Sequence, residues 1–243
     1  MEMTHFDKIM DRIRQSHAVG VVNRYSCVES LSVEEALMLV MELGKRKEPR
    51  FSIDESNRFA YVNIVKWVLG DRTMECLDPT TRKSVAGDMR KGLYIAGPTG
   101  SGKTFATNVI AEFIRFCGLR FDDGEAKHSL AWQDFHASTM VDNFLSCGDC
   151  YGRTDGTTFS VLPCICIQDL GTEAPESVYM GNRIQVLRKE IERRGDKGGC
   201  ITLFTSNFRM GSDTIRETYG DRAFSRLSAM CNYFEMGGND RRY

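Results

Sequence analysis

Residues 97–104 read GPTGSGKT, which completes the pattern G-x-x-x-x-G-K-[ST]. Glycine suits such a stretch because, without a Cβ, the backbone can curl until successive N–H groups converge on an anion, and a helix starting there adds its positive end. Along Gly97, Pro98, Thr99, Gly100, Ser101, Gly102, Lys103, Thr104 and Phe105 the sequence therefore offers a cradle for nucleotide phosphates. Within it Lys103 reaches the outer phosphates and the Thr104 hydroxyl is placed to ligate Mg²⁺. A glycine-rich turn with no ligand would explain the glycines. It would not explain the Lys-Thr pair set between a strand pattern and a helix pattern.

A phosphate loop works with an acid at the tip of a neighbouring strand. The candidate is VLPCICIQDLGTEA, an apolar run ending in Gln168, Asp169 and, farther on, Glu173. Asp169 can hold the Mg²⁺ shell or act as base; doing both with one carboxylate is harder, because a metal-bound oxygen is a poor proton acceptor. The run CITLFTSNF ends in Asn207, an amide that either positions the attacking water or caps the next turn. In YGDRAFSRLSAM, Arg222 and Arg226 stand four apart on a helix whose Ala223, Phe224, Leu227 and Met230 suit a core. Such a pair is either a solvated basic face or a finger aimed at a neighbour's phosphate. Cys147 and Cys150 have zinc-knuckle spacing without a second knuckle, so free thiols in a loop are the preferred reading.

Positioning these groups takes alternating strands and helices, and the pattern from Gly92 onward supplies them. Strands are expected over 94–96, 128–132, 161–167 and 200–205, and helices over 103–117, from 138, and over 178–193 with Gly195 as the stop. Near-continuous apolar strands between helices indicate a parallel sheet covered on both faces. Upstream, Phe6, Ile9, Met10 and Ile13 follow helical spacing, and Ser32 with Glu35 is a capping box for a second helix expected to stop at Gly44. KRKEPR, residues 45–50, reads as a linker, and Ala60, Ile64, Val65 and Val68 line a third helix ended by Gly70. The division expected is a small helical segment, 1–48, which the resemblance set out below would make a partner-docking piece, and an α/β domain, 49–243.

The 32 Lys+Arg and 33 Asp+Glu leave a formal charge of −1, so no overall positive field draws the molecule to nucleic acid, and any such binding is local. No apolar run approaches the roughly 20 residues of a membrane-spanning helix. Nine cysteines, several inside apolar segments, speak for buried thiols in a reducing, cytoplasmic setting rather than a disulfide framework.

Taken in order, GLYIAGPTGSGKT, CICIQDLGTE, FTSNF, YGDRAFSRL and the terminal GGNDRR resemble the AAA+ ATPases of the bacterial replicative helicase loaders, the DnaC and DnaI kind, and their IstB-like transposition relatives. The resemblance runs over about residues 50–243. It implies an α/β P-loop NTPase with a parallel sheet flanked by helices, a small helical segment before it and no separate helical lid. It also implies ATP and Mg²⁺ as ligands, with 97–104 as Walker A, Asp169 as the surviving Walker B acid and, with Thr104, the metal ligand. Asn207 would be sensor 1, Arg226 the arginine finger with Arg222 beside it, and Arg242 the terminal arginine. Gln168 departs from the family at the first of two acidic positions, which implies slow hydrolysis.

The partners so implied are a ring helicase or another DNA-transaction protein, single-stranded DNA along the inner edge of a spiral oligomer, and further copies of the chain meeting the Arg226 edge. For DNA the sequence itself offers Lys189, Arg193, Arg194 and Lys197 near a helix end and Trp132, Phe135 and Phe144 around a loop. Basic residues at a helix C-terminus are also what the helix dipole favours. Three further readings share the phosphate loop: an IstB-like transposition helper, a nucleotide-switched adaptor with little turnover and, as the outside option, a small-molecule kinase, which would leave the SNF and SRL elements unexplained.

Overall fold

The computed structural model describes residues 23–25, 31–122, 127–153, 162–174, 176–180, 182–197, 199–238 and 240–241. The expected helix over Phe6–Ile13 lies outside them. The first described helix, α1 (Val33–Lys47), opens on the expected capping box, the Ser32 hydroxyl accepting from the Glu35 N–H at 3.2 Å and the Glu35 carboxylate accepting from the Ser32 N–H at 2.9 Å. It runs past Gly44 into half of the expected linker. Gly44 ends nothing; it makes room for the Phe51 ring, which a Cβ would meet at 2.1 Å. The next helix, α2 (Arg58–Leu69), stops at Gly70 in the left-handed conformation, as its sequence requires.

Strands β2 (Glu75–Leu77), β3 (Ser84–Ala86), β4 (Gly92–Ala96), β7 (Gln133–His136), β8 (Cys164–Leu170), β11 (Ile201–Ser206) and β12 (Cys231–Glu235) form one sheet in the order β3-β2-β12-β4-β11-β8-β7. The five from β12 to β7 are parallel, and β2 and β3 extend the edge antiparallel. A second, antiparallel sheet joins β1 (Asn23–Tyr25), β5 (Arg120–Asp122) and β6 (Lys127–Ser129). Between the parallel strands run α3 (Lys103–Phe116), α4 (Ala137–Cys147), α5 (Val186–Lys197) and α6 (Asp213–Met230), the last kinked at Gly220.

Side chains alternate across the central strands and so split the core in two. Leu93 and Ile95 of β4 join Leu203 and Phe234 under α1, α2 and α3; Tyr94 joins Ile165, Ile167, Phe204 and Tyr233 under α4, α5 and α6. This is the α/β P-loop arrangement expected, and among the described residues no helical lid follows β12. Nor, among those residues, is any helix long and apolar enough to cross a membrane.

Two further expected elements differ. The strand over 128–132 is two strands, β6 and β7, separated by a bend that buries Leu130 and Trp132. The helix over 178–193 begins only at Val186, because Ser177–Tyr179 (β9) and Asn182–Ile184 (β10) pair as an antiparallel hairpin. It also passes through Gly195, where the missing side chain admits that of Arg226. Cys147 is exposed, but Cys150 is packed beneath α5 beside Tyr151 rather than held in an open loop.

Candidate nucleotide site

β4 delivers the chain to the phosphate loop at the carboxyl edge of the sheet, and β11 separates it from the acidic strand β8. The Gly97 N–H donates to the Ser206 carbonyl at 3.1 Å, tying the loop to β11. Its Cα lies so close to the Met236 carbonyl that a Cβ would meet that oxygen at 2.2 Å. At Gly102, with φ of 91°, a Cβ would meet only Arg241 Cδ at an ordinary 3.5 Å; there the backbone conformation alone demands glycine. The helix α3 starts at the next residue, so its free N–H groups face the loop.

Lys103 is 5% exposed, and its Nζ donates to the Gly97 and Pro98 carbonyls at 2.7 and 3.0 Å and to Asn207 Oδ1 at 2.9 Å. Thr104 Oγ1 donates to Gln168 Oε1 at 3.2 Å, so the residue facing the loop hydroxyl from β8 is Gln168. Asp169 follows it in the left-handed region, with φ of 58°, its N–H on Thr205 Oγ1 at 2.9 Å and its carboxylate 3.7 Å from His136 Nδ1. That carboxylate is 38% exposed and faces the cavity. Glu173 turns away: it accepts from the Gly171 N–H at 2.9 Å and from the Tyr219 hydroxyl, whose proton burial and then the Glu173 charge hold far above the ordinary phenol range.

The cavity over the loop measures about 1080 Å³. Its lining includes Thr99–Phe105, Asp169, Thr172 and Asn207 together with Phe51, Asn57, Tyr61, Asp240 and Arg241. The Phe105 ring packs at 5.0 Å and a 46° tilt against Phe51, which makes an edge contact with Tyr61 at 5.7 Å. The hard oxygens of Thr104 and Asp169 suit Mg²⁺ that brings nucleotide phosphates as its other ligands.

No protein-family model and no curated protein matches this chain. Among solved structures, the crystal structure of the DnaC helicase loader aligns at a TM-score of 0.52 with 16% identity, covering 78% of this chain and 94% of that one. The chain has the DnaC fold. A protein from Streptococcus pyogenes serotype M3, described as a primosome component, aligns at a TM-score of 0.49 with 17% identity, covering 78% of this chain and 84% of its own. At such identity the likeness to DnaC concerns the fold, and the site is read from this chain's own residues.

Those residues fall in two groups. Asp169, Asn207 and the loop share one cavity; Arg222 and Arg226 do not line it. They project from α6 onto α5, where both meet Asp196, Arg222 at 3.3 Å, and Arg222 also reaches Glu192 at 3.5 Å. Arg226 Nε is buried and has no hydrogen-bond partner. The expected terminal arginine, Arg242, lies outside the described residues.

Its neighbour Arg241 is a site residue that the sequence reading missed. The Arg241 N–H donates to the Gly100 carbonyl at 3.0 Å, and its guanidinium grips Asp54 at 2.8 and 3.0 Å and Ser56 at 2.8 Å. The Ser56 hydroxyl, and with it Arg241, holds the Asp54 carboxyl below the usual aspartate range. The signal was present as charge alone, D-x-S near one end of the domain and N-D-R-R at the other.

The residues offered for DNA also divide. Arg194 is 1% exposed and spends its guanidinium on Thr202, Leu162 and Ile201, and Trp132 is buried. Arg193 pairs with Glu190, and Lys189 and Lys197 stay exposed.

Proposed function

We propose that this chain binds ATP with Mg²⁺ over residues 97–104, hydrolyses it slowly, and uses that cycle to act on a ring helicase and single-stranded DNA, as a helicase loader does. The observation that carries the reading is the Lys103 ammonium, buried in the loop between two carbonyls and Asn207. A buried cation needs partners of high charge density, and a triphosphate is a better one than neutral carbonyls.

On binding, Lys103 exchanges its contacts for outer phosphate oxygens, which releases Asn207 Oδ1 to accept a hydrogen bond from the attacking water. Asp169, exposed at the cavity, would hold Mg²⁺ together with Thr104, and the backbone N–H groups at the start of α3 hold the phosphates in place. When bound there, the ion would neutralise the charge developing on the phosphates. With Arg226 outside the cavity, the last positive charge comes from a neighbouring copy.

The test is thermal stabilisation by Mg-ATP of wild type and Lys103→Ala, followed by capture of the host's ring helicase with and without a non-hydrolysable analogue. Stabilisation of wild type alone, with nucleotide-dependent capture, is expected. Equal stabilisation of both proteins contradicts the site. A second reading, a nucleotide-switched adaptor, is favoured by the neutral Gln168 opposite Thr104; it predicts the same stabilisation and capture with no measurable turnover.

A further inference from the structure

The first acid of the strand tip is absent from position 168, and the geometry around Gln168 shows where a charge stands instead. Gln168 is fully buried. Its Nε2 donates to Asp134 Oδ1 at 2.8 Å and to Thr107 Oγ1 at 2.9 Å, with the weak acceptor Cys166 Sγ also at 3.2 Å, while its Oε1 accepts from Thr205 Oγ1 at 2.8 Å and Thr104 Oγ1 at 3.2 Å.

Chemistry fixes which way this amide faces. A carboxylate only accepts, so the NH₂ belongs toward Asp134. Thr205 Oγ1 already accepts from the Asp169 N–H, so its own proton goes to the Gln168 carbonyl. Thr107 Oγ1 gives its proton to the Thr104 carbonyl at 2.9 Å and has lone pairs left for the NH₂. Every partner agrees on one orientation, with the carbonyl oxygen toward the phosphate loop.

Asp134 comes from β7, the edge strand. The parallel register sets Asp134 beside Cys166 and His136 beside Gln168, so Asp134 is the diagonal neighbour of Gln168 on the same face. The Cys166 thiol, also on this face, is kept protonated by burial and then by the Asp134 charge. Across the amide the chain of contacts runs from the Asp134 carboxylate through Gln168 to the Thr104 hydroxyl. A donor bonded to a carboxylate enriches its carbonyl oxygen, and linked hydrogen bonds strengthen one another in this way.

We propose that Asp134 is the positioning residue of the metal side of this site: from the neighbouring strand it orients and polarises Gln168, and it supplies the negative charge absent from position 168. The proposal rests on the reading of 97–104 as an Mg-nucleotide site. It deepens that reading by placing the acid of the strand tip on two strands, Asp134 acting through Gln168 and Asp169 acting directly.

The experiment measures affinity for a fluorescent ATP analogue in Mg²⁺ and in EDTA, and counts bound Mn²⁺ by electron paramagnetic resonance. Asp134→Asn keeps the size and one acceptor oxygen, removes the charge and turns the other oxygen into an NH₂ donor. It should lose about 10-fold of the Mg²⁺-dependent affinity, the loss typical of an outer partner of a metal ligand, with the EDTA value unchanged. Gln168→Glu alone sets two carboxylates face to face and should also lose that gain. The double variant Asp134→Asn with Gln168→Glu restores one charge and one donor, and should recover Mg²⁺-dependent affinity and Mn²⁺ occupancy to within a few-fold of wild type.

The proposal is overturned if Asp134→Asn keeps the full Mg²⁺ gain, or if the double variant binds no better than Asp134→Asn. It is also overturned if Gln168→Glu alone binds as well as the double variant. A wild type with equal affinity in Mg²⁺ and EDTA overturns it while leaving the nucleotide site standing. A wild type that binds no nucleotide in either buffer removes the nucleotide reading as well.

Discussion

At the phosphate loop, Lys103, Thr104, Gln168 and Asn207 are joined by hydrogen bonds that cross from β4 over β11 to β8. At the α5–α6 contact, Arg222 and Arg226 are paired too, but with carboxylates of their own α5, and the buried Arg226 Nε has no partner. The first set surrounds a cavity, and its contacts can be exchanged there for phosphate oxygens. The second has no place in that cavity. One half of the proposed active site is thus assembled by folding, whereas the proposed finger is held on Asp196, away from the cavity of its own chain; the proposal assigns it to the nucleotide of a second copy.

The largest expected effect breaks the half held on Asp196. Arg226→Ala should lower turnover by about 10³-fold, the lower end for a finger arginine, and leave ATP affinity within about twofold. Steady-state ATPase assays beside nucleotide titrations check this, and a proportional loss of affinity would place Arg226 in its own cavity. Next, Lys103→Ala should weaken ATP about 100-fold, as removal of hydrogen bonds from a charged group implies. Because Lys103 is buried on three acceptors, the same change should cost about 1–3 kcal/mol of stability, read as a lower melting temperature.

Asp196→Asn sharpens the comparison, since it weakens the hold on Arg226 without touching the cavity. Turnover at low protein concentration should rise a few-fold, in line with the modest worth of a half-exposed ion pair. An unchanged or reduced rate would mean that Asp196 orients the arginine rather than restraining it.

The smallest effect concerns the Arg241–Asp54 clasp over Gly100. A depressed carboxyl stabilises the fold above the unfolded aspartate range, and that contribution fades as pH falls through the folded value. Wild type should therefore melt slightly above Arg241→Ala at neutral pH, by no more than about 1 kcal/mol for so exposed a pair, with the gap closing under acid. A gap that persists below the aspartate range would assign the stabilisation to the Arg241 N–H contact with Gly100.

What the sequence disclosed was whatever one local pattern decides. The phosphate loop, the capping box at Ser32, Gly70 as a stop and the apolar strands β8 and β11 are of this kind, each carried by a few neighbouring residues. β12 escaped because Asn232 and Glu235 make it look like a polar stretch. In the fold, Asn232 is buried and its amide donates to the Asp88 carbonyl at 2.8 Å. The hairpin β9–β10 escaped because Leu187 and Ile191 carry helical spacing whose start they do not mark. At the site, Asp134 and Arg241 were hidden for one reason: each acts across a strand register or a chain closure, and spacing along the sequence does not encode either.

The most direct test of a site divided between copies is to mix Arg226→Ala with Lys103→Ala subunits, each inactive alone. The first contributes a working phosphate loop and the second a working arginine, so ATPase activity should reappear on mixing and rise with total protein concentration. A mixture that stays inactive, beside a wild type whose activity per subunit does not change with concentration, would contradict the account and leave a monomeric nucleotide switch.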